Sequence, residues 1–307
     1  MKILSKLTKR NVKMFFKDKG MFFVSLATPL ILLGLYIIFL GSMYTDSYTK
    51  AMPEGVVLSE NVLDGLVGAQ LFSSLLAVCA VTVAFCSNML MVNDGVSGAQ
   101  NDLLITPLKK SKLAISYYLA SFISTLLICV VTTFVCFVYL AIVGWYLSFI
   151  DVILIFLDIL ILVMFGTALS SVVNYFLTSQ GQVSAVGSIV SAAYGFVCGA
   201  YMPISSYGTG IQKVLSFLPG TYGTSLIRNH AMRGAFKEMN AQGVPETVIE
   251  GLKSSIDCNV EFFGNSVSIG AMYAIMIVSV ITLVSVYVLL NVLVAKKSVN
   301  KQKKNQG

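Results

Sequence analysis

The sequence predicts an all-α integral membrane protein with six transmembrane helices, an N-terminal interfacial amphipathic helix and an outer re-entrant hairpin between helices five and six. Three observations carry this. Of 307 residues, 56% are hydrophobic and 11% charged, where soluble domains run near a quarter charged. Six segments reach the roughly 20 mainly apolar residues that a spanning helix needs: about 21–41, 67–92, 115–143, 152–176, 184–203 and 267–294. The third observation is charge placement. Seven of the 21 Lys and Arg lie in residues 1–20 and five more in the tail 295–307. Such clusters beside apolar spans read as cytoplasmic anchors, and nucleic acid is not expected as a partner.

An even number of spans puts both basic termini on one side. The N-terminus, residues 93–114 and the tail hold fifteen Lys/Arg against Asp18, Asp94 and Asp102. The opposite loops hold six against ten Asp/Glu, with Asp158 set apart inside a span. That bias places both termini in the cytoplasm of a multi-pass plasma-membrane protein. The whole chain, 1–307, reads as one transmembrane domain.

Taken in order, Ile3, Leu4, Leu7, Met14 and Phe15 fall on one arc of a helix whose remainder is largely lysine. That pattern describes a helix lying on the membrane surface, residues 1–20. The first span is too long for a signal-peptide core and lacks a clear cleavage site, so it reads as retained. Between spans two and three lies NDGVSGAQNDLLITPLKKSKLAISYYLASF. Asp94 and Gly95 end the second span. Asp102 opens a short helical element, and Leu103, Leu104 and Ile105 give it an apolar face. Pro107 stops it. Lys109, Lys110 and Lys112 then meet the headgroups. This is either a docking surface for a soluble partner or a capped turn.

The fourth span carries Asp158. An intramembrane carboxylate is a functional candidate by default, unless the span begins later and Asp158 sits at the interface; both readings stay open. In the fifth span Gly187, Ser191, Gly195 and Gly199 recur every fourth residue, a stripe that admits a close helix neighbour. Ser184, Ser188 and Ala192 form a second small row. Residues 201–229 follow, with Pro203 and Pro219 bracketing Ile211, Val214, Leu215 and Leu218. They are too short to cross and too apolar for an ordinary loop. Residues 230–266 read as a small charged extracellular segment, so 204–266 together form the outer hairpin and extracellular part.

Catalytic chemistry finds little support. There is no P-loop, since no Gly-Lys pair occurs. SGAQ at 97–100 and TSQGQ at 178–182 read as turns. Asp151 and Asp158 share a helix face but lie about 10 Å apart along it, too far for a carboxylate dyad. Five of six cysteines lie in apolar segments and Cys258 stands alone, so no disulfide framework is implied. His230 is the single histidine, and no metal site is expected.

The loop between spans two and three resembles the signature of ABC-2 type permeases, the membrane subunits of ATP-driven exporters. The matching residues are Asp94, Gly98, Leu103, Leu104, Thr106, Pro107, Leu108 and Lys109. The later stretch CGAYMPISSYGTGIQKVLSFLPGTYGTSLIR is similar to that family's outer hairpin through Gly199, Pro203, Ile211, Leu218, Pro219 and Arg228. The longer, charged segment 230–266 departs from the simplest members. The resemblance implies a bacterial exporter built from two permease subunits, identical or paralogous, and the chain's uniform apolarity suggests an amphipathic or lipid-like substrate such as a drug, peptide or lipid-linked molecule. Two separate cytoplasmic ATPase subunits would bind ATP and Mg, with no cofactor in this chain. Residues Asn101, Asp102, Leu103, Leu104, Ile105, Thr106, Pro107, Leu108 and Lys109 would form the ATPase-coupling element, with a second contact at Thr178, Ser179, Gln180 and Gly181. The alternative is an ion-coupled secondary transporter using Asp158.

Overall fold

A computed structural model describes residues 2–52, 58–106 and 108–304, with the side chains of Thr28, Ile37 and 294–304 outside the description. Pro107, expected to stop the coupling element, lies outside the described residues. The chain is all-α apart from one two-stranded hairpin, β1 (Glu261–Phe262) with β2 (Asn265–Ser266). Among the described residues, five helical segments are long and apolar enough to cross a membrane. They are Lys19–Lys50, Glu60–Val96, Lys110–Val143, Phe149–Tyr175 and Ile269–Leu293.

The first of these is α2 (Lys19–Leu35), a π-turn over Tyr36–Leu40 and α3 (Gly41–Lys50). Asp18 caps α2 by accepting from the Met21 amide at 3.0 Å. The second, α4 (Glu60–Ser87) followed by α5 (Met89–Val96), is the centre of the molecule. Its apolar window is 94% buried, against 17% for the last span. Helices α7 (Lys110–Val143), α8 (Phe149–Tyr175) and α11 (Pro219–Ala241) pack around α4, with α2 on its flank. The break between α4 and α5 is at Asn88, whose side-chain amide donates to the Ser170 and Ser171 hydroxyls at 3.1 and 2.8 Å. The last span opens α13 (Ile269–Lys304), which leans on α7, α8 and α11. Apolar side chains left on the outside, such as Phe23, Ile38, Val131, Ile142 and Val278, would be a liability in water and are what lipid-facing surfaces require.

Four sequence expectations change shape. Helix α1 (Lys2–Lys17) does form, but its buried face is Thr8, Asn11 and Phe15, while Ile3 and Met14 are exposed. It is fastened to α7 as well as amphipathic, because Asn11 donates to Ser116 at 3.4 Å. The segment expected to span at 184–203 is α9 (Gln180–Val197), which ends earlier. Its 18 residues rise about 27 Å, and Gly199 at φ +74° turns the chain away. The small-residue stripe therefore loses its fourth member to a turn. Gly187 faces the Met89 side chain of α5, and Gly195 lies under the ring of Tyr201 from the chain's own next turn. Finally, the segment after Pro219 is not a short hairpin arm. Beyond a 3-10 turn at Ile204–Ser206 and α10 (Thr209–Leu215), α11 runs unbroken through His230 to Ala241 and is largely buried. Only then do α12 (Glu246–Ser255) and the β hairpin form a small polar cap. The apolar positions Ala231, Met232, Ala235, Phe236 and Met239 explain that burial.

Candidate functional site

Two polar clusters lie at opposite ends of the helix bundle. At the basic end, α5 carries Asp94, almost fully buried. Its carboxylate pairs with Arg10 of α1 and accepts from the Tyr117 hydroxyl of α7 at 2.6 Å. A buried carboxylate needs such partners; here they come from three elements, so α1, α5 and α7 are held as one body. The pairing raises the Arg10 pKa further, chiefly through its hydrogen bond with Asp94.

Just beyond Asp94 the chain reverses at Gly98, φ +83°, a backbone state that favours glycine. Helix α6 (Ala99–Ile105) follows. Gln100 anchors it by donating from its side chain to the Met91 carbonyl at 2.7 Å. The Thr106 hydroxyl closes it on the Leu103 carbonyl at 2.7 Å. Leu103, Leu104 and Leu108 pack toward the core, whereas Ile105 is 84% exposed and Asn101 and Asp102 face outward. No side-chain cap from Asp102 is seen; Gly98 holds the cap position. Lys109 precedes α7 as its N-cap residue.

The second candidate stretch lies beside this element. Ser179 caps α9 by accepting from the Gln182 amide at 3.3 Å, and the Thr178 amide donates to the Gln182 side chain at 2.8 Å. Gln180 and Gly181 open the helix and are exposed. Thr178 and Asn174 share a cavity of about 350 Å³ with Gln100, Asn101, Leu104 and Lys110. The two stretches, some seventy residues apart in sequence, thus flank one depression.

At the other end Asp158 is buried inside α8. His230 Nδ1 lies 2.6 Å from one carboxylate oxygen, and the Tyr273 hydroxyl donates to the other at 2.5 Å. Its side chain is therefore enclosed by helices, and it pins α8, α11 and α13 together. Asp151, two turns away, meets Arg233 of α11 at 2.5 Å. Arg228 of α11 is 1% exposed. It donates to the Gly199 carbonyl at 2.9 Å, the Ser74 hydroxyl at 3.1 Å and the Ile256 carbonyl. Asp257 lies 3.9 Å from Arg228 and accepts from the amides of Ile204 and Ser205 at 2.5 and 3.1 Å. Burial pushes the Asp257 carboxyl above its usual range, against the pull of Arg228. Of the hairpin positions singled out in sequence, Arg228 is this buried node and Pro219 starts α11. Pro203 precedes the 3-10 turn, while Ile211 and Leu218 are exposed. Sequence reading missed the roles of Arg10, Tyr117, His230 and Tyr273; each is a lone polar residue whose partner is distant in the chain.

A family model described as an ABC-2 type transporter matches residues 4–231. The chain belongs to this family. It is accordingly the membrane component of an ABC transporter, and the match runs from α1 through the middle of α11. The second half of α11, α12, the β hairpin and α13 lie beyond it. No curated protein matches the chain. Within this ABC-2 permease the matched region contains both clusters around Asp94 and the Asp158–His230 contact, while Tyr273 is contributed from outside it. Among the described residues no group of three or more His, Cys, Asp or Glu is arranged to hold a metal ion.

Proposed function

We propose that the chain is the permease subunit of an exporter, moving an amphipathic or lipid-like molecule outward across the plasma membrane. Two cytoplasmic ATPase subunits drive it, and a second permease copy, identical or paralogous, completes the path. The observation that carries this reading is the joint cavity of α6 and the 174–178 turn beside the Arg10–Asp94–Tyr117 cluster. A partner seated against Asn101, Asp102 and Ile105 would push on α6, and Asp94 would pass that push to α1 and α7. The basic residues at this end support a cytoplasmic placement. Helix α9 would then be the sixth span, with α10 and the start of α11 re-entering from outside.

Co-purification from native membranes should bring down an ATPase; a chain isolated alone under mild conditions would sink the reading. Leu104→Asp should separate two activities. Coupling free energies run about 1–3 kcal/mol, so export per ATP hydrolysed should fall about tenfold while ATPase turnover persists. Export unchanged by that substitution would remove the coupling role.

The competing reading, an ion-coupled transporter, rests on Asp158. Its two oxygens are occupied by His230 and Tyr273, which favours a structural pin. Asp158→Asn should leave ATP-driven export largely intact in vesicles; loss of export with ATPase coupling retained would revive the alternative.

A further inference from the structure

We propose that the cavity over His230, Arg233 and Lys237 is a binding site for the anionic headgroup of an amphiphile, a phosphate or carboxylate. The cavity is about 560 Å³, within the range of small-molecule sites, about 300–1,000 Å³. His230, Arg233 and Lys237 stand at i, i+3 and i+7 of α11, one face of the helix, and all three line it. Lys253 and Glu246 of α12 close the opposite wall.

Two of the three cations that face the cavity already have carboxylate partners. Arg233 meets Asp151 through Nη2 at 2.5 Å, which leaves most of the five N–H donors of the guanidinium free. Lys253 pairs with Glu250 at 2.6 Å on the exposed rim. Lys237 has no carboxylate within ion-pair distance among the described residues. With Glu246 in the lining and Asp151 and Glu250 on Arg233 and Lys253, three cations meet three carboxylates, and the donors left for an anion are those of Lys237, the free N–H groups of Arg233 and the ring of His230. His230 adds a directed group. Its Nδ1 is held by Asp158, so the ring cannot turn, and Nε2 has no partner among the described residues. Phe236, Ile249 and Ile269 supply an apolar wall beside these donors. A small inorganic anion has no use for that wall; the neck of an amphiphile does.

The assignment deepens the exporter reading, and its meaning for transport rests on that reading, but binding itself does not. Titration calorimetry of the full chain in neutral detergent, without any ATPase, reads binding alone. Dodecyl phosphate should bind, dodecyltrimethylammonium should not, and inorganic phosphate should bind more weakly than dodecyl phosphate. A charge-assisted hydrogen bond is worth about 1.5–3 kcal/mol, so Lys237→Gln should weaken dodecyl phosphate about tenfold. Lys237 is exposed and forms no ion pair among the described residues, and Lys50→Gln on α3 is the matched control for net charge. Equal affinity for the two detergents of opposite charge would overturn the site. So would Lys237→Gln behaving like Lys50→Gln. Inorganic phosphate binding as tightly as dodecyl phosphate would overturn the amphiphile assignment and leave a soluble-anion site. A failed ATPase co-purification would strike the permease reading and leave these results standing.

Discussion

A charged side chain removed from water is stable only when its partners are removed with it. Asp158 and Arg228 show the two forms this takes in one molecule. Asp158 keeps two partners, and truncating His230 leaves the carboxylate with Tyr273 alone. His230→Ala should cost about 3 kcal/mol, read as a drop in the thermal midpoint in detergent. A midpoint within error of the parent would mean that Asp158 is not charged in the folded chain. Arg228 is the more exposed to damage, because its acceptors lie on three separate segments: Ser74, Gly199 and Ile256. Arg228→Ala should cost about 3–5 kcal/mol and loosen the cap, measurable as faster proteolysis between residues 242 and 268. Arg228→Lys should recover only part of that stability, since an ammonium cannot reach three directions in one plane.

Among the elements, α11 departs most from its sequence appearance. Its hydrophobic residues are interrupted by Arg228, Asn229, His230 and Arg233, a pattern that reads as a polar external segment. In the fold those polar residues meet Asp158, Asp151 and backbone carbonyls, and the helix becomes a buried partner of α4, α8 and α13. Close approach is part of this. A Cβ at position 234 would fall 1.7 Å from the Tyr146 carbonyl oxygen. Gly234→Ala should therefore force the α7–α8 connection away and cost about 1–3 kcal/mol, read by thermal unfolding; a neutral result would show that this connection yields freely. Helix α6 is the opposite case. Its leucine pair and following lysines are local signals, and a short helix forms there, opening at Ala99 behind Gly98 rather than at Asp102. Its anchor, Gln100 on Met91, carries no such signal.

For the whole molecule, the bundle is centred on α4, and its outer surface is left to lipid or to another copy. Helix α9 presents Ser184, Ser188, Ile189, Ala192 and Phe196 outward, a small-residue face bordered by large ones. That is the form of a helix–helix contact in a membrane, and the chain's own helices do not cover it. In native membranes Ser188→Cys should form a disulfide-linked pair on mild oxidation, seen on a non-reducing gel. The six native cysteines are buried and give a low background. A monomer band alone would place the second subunit elsewhere.

Sequence by itself determined the all-α membrane class, the five long apolar helices and the family resemblance. These rest on apolar length, helical periodicity, turn residues and charge placement, all of which are local or compositional. Only the tertiary structure decided that α9 stops at Val197, that α11 is a buried helix, and which polar residues meet. Asp94 with Arg10 and Asp158 with His230 are 84 and 72 residues apart. Nothing within either residue's own neighbourhood distinguishes a charge that will be paired in the bundle from one that will face water. That distinction is made by which helices pack together, and packing is a property of the assembled core.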